Sequence, residues 1–201
     1  MAYYAISGKA RSGKDTFGKM LAEEISKVEG KPYVLMAYAT ELKKRVQKDF
    51  DLSWEQLWGE EKEVEDRRYP KQDESGFWTA REILQACGQF YRTIHNDFWV
   101  ESLFRIIDEK EYENVIITDV RHANEVDAVV NRGGFHIRII RDAADSIHGS
   151  DHISETALDN GYKVDVTIEN NSNDLETLRK SAHEVAVFLT SRKGANKILE
   201  V

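Results

Sequence analysis

The sequence predicts an α/β fold in three layers, with helices on both faces of a mainly parallel five-stranded sheet. Three observations carry that prediction. Short apolar runs alternate with segments of helical apolar spacing, and Gly, Pro and Asn mark the turns between them. Parallel neighbours need crossover connections, which an alternation of strand and helix supplies. The chain has 201 residues, 41% of them apolar, enough for one domain with a substantial core.

In chain order, Tyr3 to Ser7 is the first strand, and Phe17, Met20, Leu21 and Ile25 give the segment 14–28 a helical period. Tyr33 to Ala37 is a second strand, followed by a helix holding Leu42, Val46 and Phe50; Gly30 and Pro32 separate the two units. From Asp51 to Gly76 the period is lost and charge accumulates between Trp54, Trp58 and Trp78, which reads as an inserted, mobile subregion. Helices are expected over Thr79 to His95 and Asp97 to Lys110, so the insertion spans 51–110. A strand from Asn114 to Thr118, a helix from Glu125 to Asn131, strands from Phe135 to Ile140 and Val164 to Ile168, and a helix from Leu175 to Leu189 complete the pattern. The segment 141–155 is read as a lid and 192–201 as a polar tail.

The formal charge of −8 argues against duplex nucleic acid as a partner, which needs a basic face. No window reaches the roughly 18 apolar residues of a membrane span, and the N-terminal residues lack a secretory pattern. The lone cysteine, Cys87, has no partner for an intramolecular disulfide. These features point to the cytoplasm, that of a host cell if the chain is phage-encoded, and leave a homodimer open. Basic residues are nevertheless concentrated, at Lys9 and Arg11, Arg67 and Arg68, and Arg138 and Arg141, which suits a compact phosphorylated ligand.

Gly8, Gly13 and Lys14 match Gly-x-x-x-x-Gly-Lys, the phosphate-binding loop, between the first strand and the first helix. The class expected is therefore a P-loop NTPase α/β/α sandwich with a helical acceptor-binding insertion and a short lid. Backbone N–H groups of Gly8, Lys9, Ala10, Arg11, Ser12 and Gly13 would wrap a nucleoside triphosphate, with Lys14 reaching its terminal phosphates. Asp15 stands where Ser or Thr usually ligates magnesium, and Thr16 follows. A carboxylate there holds magnesium, orients an acceptor, or only complements the helix dipole.

Asp119, at the end of the third apolar run, lies where parallel sheets bind ligands and is a candidate for the magnesium shell. Arg121 would bridge the acceptor phosphate and the transferring group, unless the two residues only pair with each other. Arg81, Gln85 and Arg92 share one helix face by spacing and could clamp a phosphate and present an amide to a base, with Trp99 available for stacking; a solvated face and a core tryptophan are the alternatives. Arg141 is a candidate for the triphosphate side. His148 and His152 lack the Glu of a zinc-binding helix and read as loop residues.

Taken together, Ser7-Gly8, Gly13-Lys14-Asp15-Thr16, Arg81 to Leu84-Gln85 with Gly88, Arg92 and Trp99, Asp119-Val120-Arg121 with Asn124-Glu125, and His152 with Ser154-Glu155 resemble the bacteriophage deoxynucleoside monophosphate kinases. The resemblance runs from about residue 6 to about residue 180, and Gly-Lys-Asp-Thr and Asp-Val-Arg followed by Asn-Glu are its specific parts. Asp15 agrees with that family. The resemblance implies magnesium-dependent transfer from ATP to a deoxynucleoside monophosphate, with Lys14, Asp15, Asp119 and Arg121 catalytic and magnesium at Asp15, Thr16 and Asp119. Arg81, Gln85, Arg92, Asp97, Trp99, Arg121, Asn124 and Glu125 would then serve the acceptor. His122-Ala123, in place of an aromatic residue and often proline, and Gln89, in place of threonine, depart from the family and bear on acceptor selectivity. Two other readings fit the loop by itself: a kinase of another small phosphorylated metabolite, and a non-catalytic ATP-binding regulatory module.

Overall fold

The computed structural model describes residues 1–142, 158, 162–172 and 174–198. The lid segment therefore lies outside the described residues except for Arg141 and Asp142, and so do His148, His152, Ser154 and Glu155. The chain divides into two compact units, one formed by Met1–Ala37 with Ile107–Val201 and the other by Tyr38–Ile106. No described helix is long and apolar enough to cross a membrane.

The first unit holds the sheet. Its strands are β1 (Ala2–Ser7), β2 (Val34–Met36), β5 (Asn114–Val120), β6 (Phe135–Ile140) and β7 (Val166–Glu169), ordered β2-β5-β1-β6-β7 and all parallel. The α/β class read from the sequence is the one observed. Strands such as β1 and the Val115–Ile117 part of β5 are buried on both faces, which is why they read as unbroken apolar runs. The order turns at β1, with β5 on one side and β6 on the other, so its C-terminal end is the switch point where ligands of open parallel sheets bind.

Helices α1 (Lys14–Glu29) and α7 (Leu175–Ile198) pack on this sheet. Phe17, Leu21 and Ile25 of α1 share a core with Tyr4, Ile6, Ile116, Ile137 and with Leu178, Ala182 and Leu189 of α7. Each large apolar side chain so buried is worth roughly 1.5–3 kcal/mol, so α1 is held firmly where its N-terminus meets β1. The last helix runs to Ile198, through most of the segment read as a polar tail. Nothing after Leu189 stops it, because the stretch lacks proline. A short helix, α6 (Ala123–Val130), follows β5.

The second unit contains α2 (Ala39–Phe50), α3 (Trp54–Trp58), the hairpin of β3 (Glu65–Pro70) and β4 (Phe77–Thr79), and α4 (Ala80–Ile94); α5 (Phe98–Glu109) begins in it. Val46, Leu52, Leu57, Ala80, Ile83 and Leu84 form its core. Here the expectation of an irregular 51–76 stretch is corrected. Ser53 and Gln56 make a reciprocal capping box that starts α3, and β3 pairs antiparallel with β4. Charge along β3 hid the strand, since a two-stranded ribbon exposes most of its side chains and needs no apolar alternation. Buried Asp66 takes three side-chain hydrogen bonds from Arg68 (2.9 Å from Nε to Oδ1, 3.2 Å from Nε to Oδ2, 2.7 Å from Nη2 to Oδ2) and one from Gln56 (2.9 Å).

Candidate active site

The phosphate loop begins where β1 ends. Gly8 has φ +151° and packs against β6, so that a Cβ there would lie 2.5 Å from the Ile139 carbonyl oxygen. Gly13 has φ +96°, and a Cβ on it would lie 2.5 Å from Nδ2 of Asn170. Both glycines are thus required by conformation and by space. Arg11 between them is also left-handed, at φ 60°. The Ser12 N–H donates to the Lys9 carbonyl at 3.2 Å, and Phe17 N–H to the Gly13 carbonyl at 2.9 Å begins the ladder of α1. The first N–H groups of that helix and its dipole make a site for phosphate oxygens.

Lys14 is buried within this loop, and its Nζ donates to the Lys9 carbonyl at 3.1 Å. Asp15 and Thr16, on the first turn of α1, are both exposed, as is Arg11. Oxygen ligands of this kind suit a hard cation such as magnesium, which binds one or two carboxylates together with phosphates. Among the described residues, no group of three or more His, Cys, Asp or Glu is placed to hold a metal ion by itself.

Residues distant in sequence hold the loop. The Asn170 side-chain amide, at the end of β7, donates to the Ser12 carbonyl at 2.9 Å, and the Asn170 N–H donates to the Ile140 carbonyl at 2.8 Å. Arg141 Nη1 donates to the Arg11 carbonyl at 3.2 Å, which puts this sequence-predicted residue against the loop. Asn171 and Asp142 exchange hydrogen bonds at 2.9 and 3.0 Å beside it. At the other end, Ser7 Oγ lies 2.7 Å from Nε2 of the buried His136. Sequence reading missed Asn170 and His136. The one available signal was the polar run Asn170-Asn171-Ser172 directly after an apolar strand, at the ligand-binding edge of a parallel sheet.

The end of β5 lies beside the same loop. Ala5 pairs with Ile117 but Ser7 pairs with Val120, so β5 carries one extra residue over Thr118 and Asp119. Such a bulge bends the strand and re-aims a side chain, here at half-buried Asp119. Arg121 and Asn124 follow, both half-buried. The expectation that Glu125 meets the acceptor is corrected. Its side chain is 2% exposed, and Oε2 accepts the backbone N–H groups of Arg121 (2.8 Å) and His122 (3.1 Å). It shapes the turn that presents Arg121 and caps α6.

In the second unit, Thr79 and Glu82 form the capping box that starts α4. Arg81, Gln85 and Arg92 are half-buried along one face of that helix, as their spacing predicts. Arg81 pairs through Nε with Glu63, and Arg92 Nη1 lies 3.5 Å from the Gly88 carbonyl. Asp97 is half-buried, and its carbonyl accepts the Glu101 N–H at 2.9 Å in the first turn of α5. Trp99 takes the place of the core tryptophan that the sequence left as an alternative. It is 3% exposed, its Nε1–H donates to the Gly88 carbonyl at 3.2 Å, and its ring meets Tyr91 and Phe98 edge-on at 5.2 and 4.9 Å. The buried ring thus packs α4 against α5. Sequence reading also missed Arg45, whose guanidinium lies over Tyr91 and Phe98 at 5.7 and 5.5 Å.

The structure brings together, in the first unit, Gly8 to Thr16, Asp119, Arg121, Asn124 and Arg141; the second unit presents Arg81, Gln85 and Arg92. Residues 45–182 match the family of deoxynucleotide monophosphate kinases. A protein of Acanthamoeba polyphaga mimivirus that carries the provisional name of a deoxynucleotide monophosphate kinase is 28% identical over 192 residues, covering 85% of this chain and 89% of its own. The crystal structure of shikimate kinase from Aquifex aeolicus vf5 aligns over 97% of this chain and 98% of its own, at 18% identity and a TM-score of 0.43. The fold assignment rests on the sheet order instead of that overlay. The family match begins beyond the phosphate loop, so the loop geometry and the match are separate observations that agree, and the chain belongs to the deoxynucleotide monophosphate kinase family.

Proposed function

We propose that this kinase takes ATP in the loop Gly8 to Thr16 and transfers its γ-phosphoryl group, with magnesium, to a deoxynucleoside monophosphate. The observation that carries the reading is the loop itself: two glycines that admit no side chain, a lysine among them, and a helix N-terminus beyond. An oxygen of the acceptor's phosphate attacks the γ-phosphorus in line, and the bond from that phosphorus to the bridging oxygen breaks, giving ADP and the deoxynucleoside diphosphate.

Lys14 and the N-terminus of α1 would neutralise charge on the donor phosphates. Arg121, held by the turn that Glu125 caps, would stabilise charge on the transferring group. Arg81 and Arg92 would bind the acceptor's phosphate, and Gln85 its base. Asp15, Thr16 and Asp119 would hold magnesium, which screens the phosphate oxygens and orients them. Arg141 would serve the triphosphate by way of its contact with the loop. We place the enzyme in the cytoplasm; the single Cys87, whose thiol burial pushes upward and keeps protonated, suits a reducing compartment.

The test is a panel of the four deoxynucleoside monophosphates with ATP and magnesium. Diphosphate product from at least one is expected, and its absence from all of them would overturn the reading.

A further inference from the structure

Beneath the phosphate loop lies an imidazole that the proposed transfer does not use. His136, on β6, is fully buried, and the Ser7 hydroxyl 2.7 Å from its Nε2 is 1% exposed. Its Nδ1 lies 2.8 Å from the Lys163 carbonyl oxygen. A carbonyl only accepts, so Nδ1 carries the proton. In the neutral ring Nε2 then offers a lone pair, and the Ser7 hydroxyl donates to it.

The surroundings fix the ring. The His136 N–H donates to the Asp165 carboxylate and the His136 carbonyl accepts from the Asp165 N–H, both at 2.9 Å. Tyr162 meets the imidazole edge-on at 6.1 Å, and its hydroxyl lies within hydrogen-bond distance of the Ala123 carbonyl and of Asp127 on α6. Burial pushes the imidazole below the ordinary histidine value and the Arg138 guanidinium acts the same way, against the opposing Lys163 carbonyl and Asp165 carboxylate. Ser7 immediately precedes Gly8, where close packing on β6 leaves no room for a side chain.

We propose that His136 is a positioning residue of the donor site: its neutral ring anchors the Ser7 hydroxyl and so sets the start of the phosphate loop, and acid that charges the ring weakens ATP binding. A proton on Nε2 converts the acceptor that Ser7 uses into a donor and leaves a cation in a site closed to water. That cation is relieved only by opening the backbone around it. The inference rests on the assignment of Gly8 to Thr16 as the ATP site.

The test uses the full chain, with ATP affinity, ATP KM, acceptor KM and kcat measured from about pH 5.5 to about pH 8.5. Wild type should lose ATP affinity toward the acid end. Ser7→Ala and His136→Leu should each raise ATP KM roughly tenfold at the alkaline end, the scale of one missing buried hydrogen bond, and show no acid loss. Glutamine at position 136 accepts from a hydroxyl but does not titrate, so His136→Gln should restore ATP affinity and keep it flat with pH. A merely structural role would lower Tm in these variants without separating ATP KM from acceptor KM. Should His136→Leu fail to fold, Ser7→Ala tests the same bond from the loop side. Wild-type ATP affinity in Ser7→Ala, or wild-type pH dependence in His136→Gln, would overturn this inference while leaving the ATP site standing. Absence of ATP binding by wild type at every pH would overturn both.

Discussion

Asn170 donates its side-chain amide to the carbonyl of Ser12 at 2.9 Å, and the Gly13 Cα leaves no space between them for a Cβ. The loop that would hold the donor, after the central strand β1, is therefore braced by a residue that follows the edge strand β7. Asn170→Ala should raise ATP KM roughly tenfold, because a buried carbonyl loses its donor. Asn170→Asp should be worse, since a carboxylate oxygen would face that carbonyl. Steady-state kinetics on both variants check this; an unchanged ATP KM in the alanine variant would remove Asn170 from the donor site.

Lys14→Ala should lower kcat by roughly 10²–10³, the scale of losing one preorganised charge at a transferring group. Circular dichroism should show the fold retained, because the Lys14 ammonium bonds within the loop, to the Lys9 carbonyl, and the apolar core of α1 is built by Phe17, Leu21 and Ile25. Turnover near wild type would exclude Lys14 from the chemistry.

Arg121 and Arg81 should separate kinetically. Arg121→Ala is expected to reduce kcat more than it raises acceptor KM, and Arg81→Ala to do the reverse. The two constants, measured at saturating ATP, distinguish a residue that meets the transferring group from one that holds the acceptor. Equal effects on both constants in both variants would dismiss the division of roles.

Trp99→Ala should destabilise the protein by about 3–5 kcal/mol, as large-to-small substitutions of buried aromatics do. Chemical denaturation measures the loss. If stability is retained and discrimination among bases changes, the buried packing role is wrong.

Asp66 supplies a pH dependence with a definite sign. Side-chain hydrogen bonding from Arg68 holds its carboxyl well below the usual carboxylate range. A carboxyl whose folded pKa is depressed contributes stability above its unfolded value, about 3.9, and loses it as the pH falls toward the folded value. Wild type should therefore lose stability below about pH 4 more steeply than Asp66→Asn, which starts lower at neutral pH. Thermal melts across that range check it, and parallel pH profiles would count against it.

β1 and the Val115–Ile117 part of β5 were legible because burial on both faces forces apolar runs. The loop was legible because Gly8, Gly13 and Lys14 sit at fixed offsets in one segment. The β3–β4 hairpin was not, since charge runs along most of β3 and leaves no apolar alternation to read. Trp99 was left between stacking and core because sequence does not tell a ring that is covered from one that is offered. Asn170 and His136 act on partners 158 and 129 residues away, a relationship that local pattern does not encode. Glu125 did carry a signal: a carboxylate three residues after His122, before an apolar run, is helix-cap spacing.

The long span between Ser12 and Asn170 also bears on how the enzyme comes into being. Residues 8–16 leave the ribosome well before the brace beneath them, which lies 158 residues further along the chain. At about 5–20 residues per second, a nascent chain spends roughly ten seconds or more with its triphosphate loop unsupported. The proposed donor loop is thus synthesised ahead of its brace, so a chain interrupted before β7 would retain the whole Gly-Lys-Asp-Thr signature and lack the contact that shapes it.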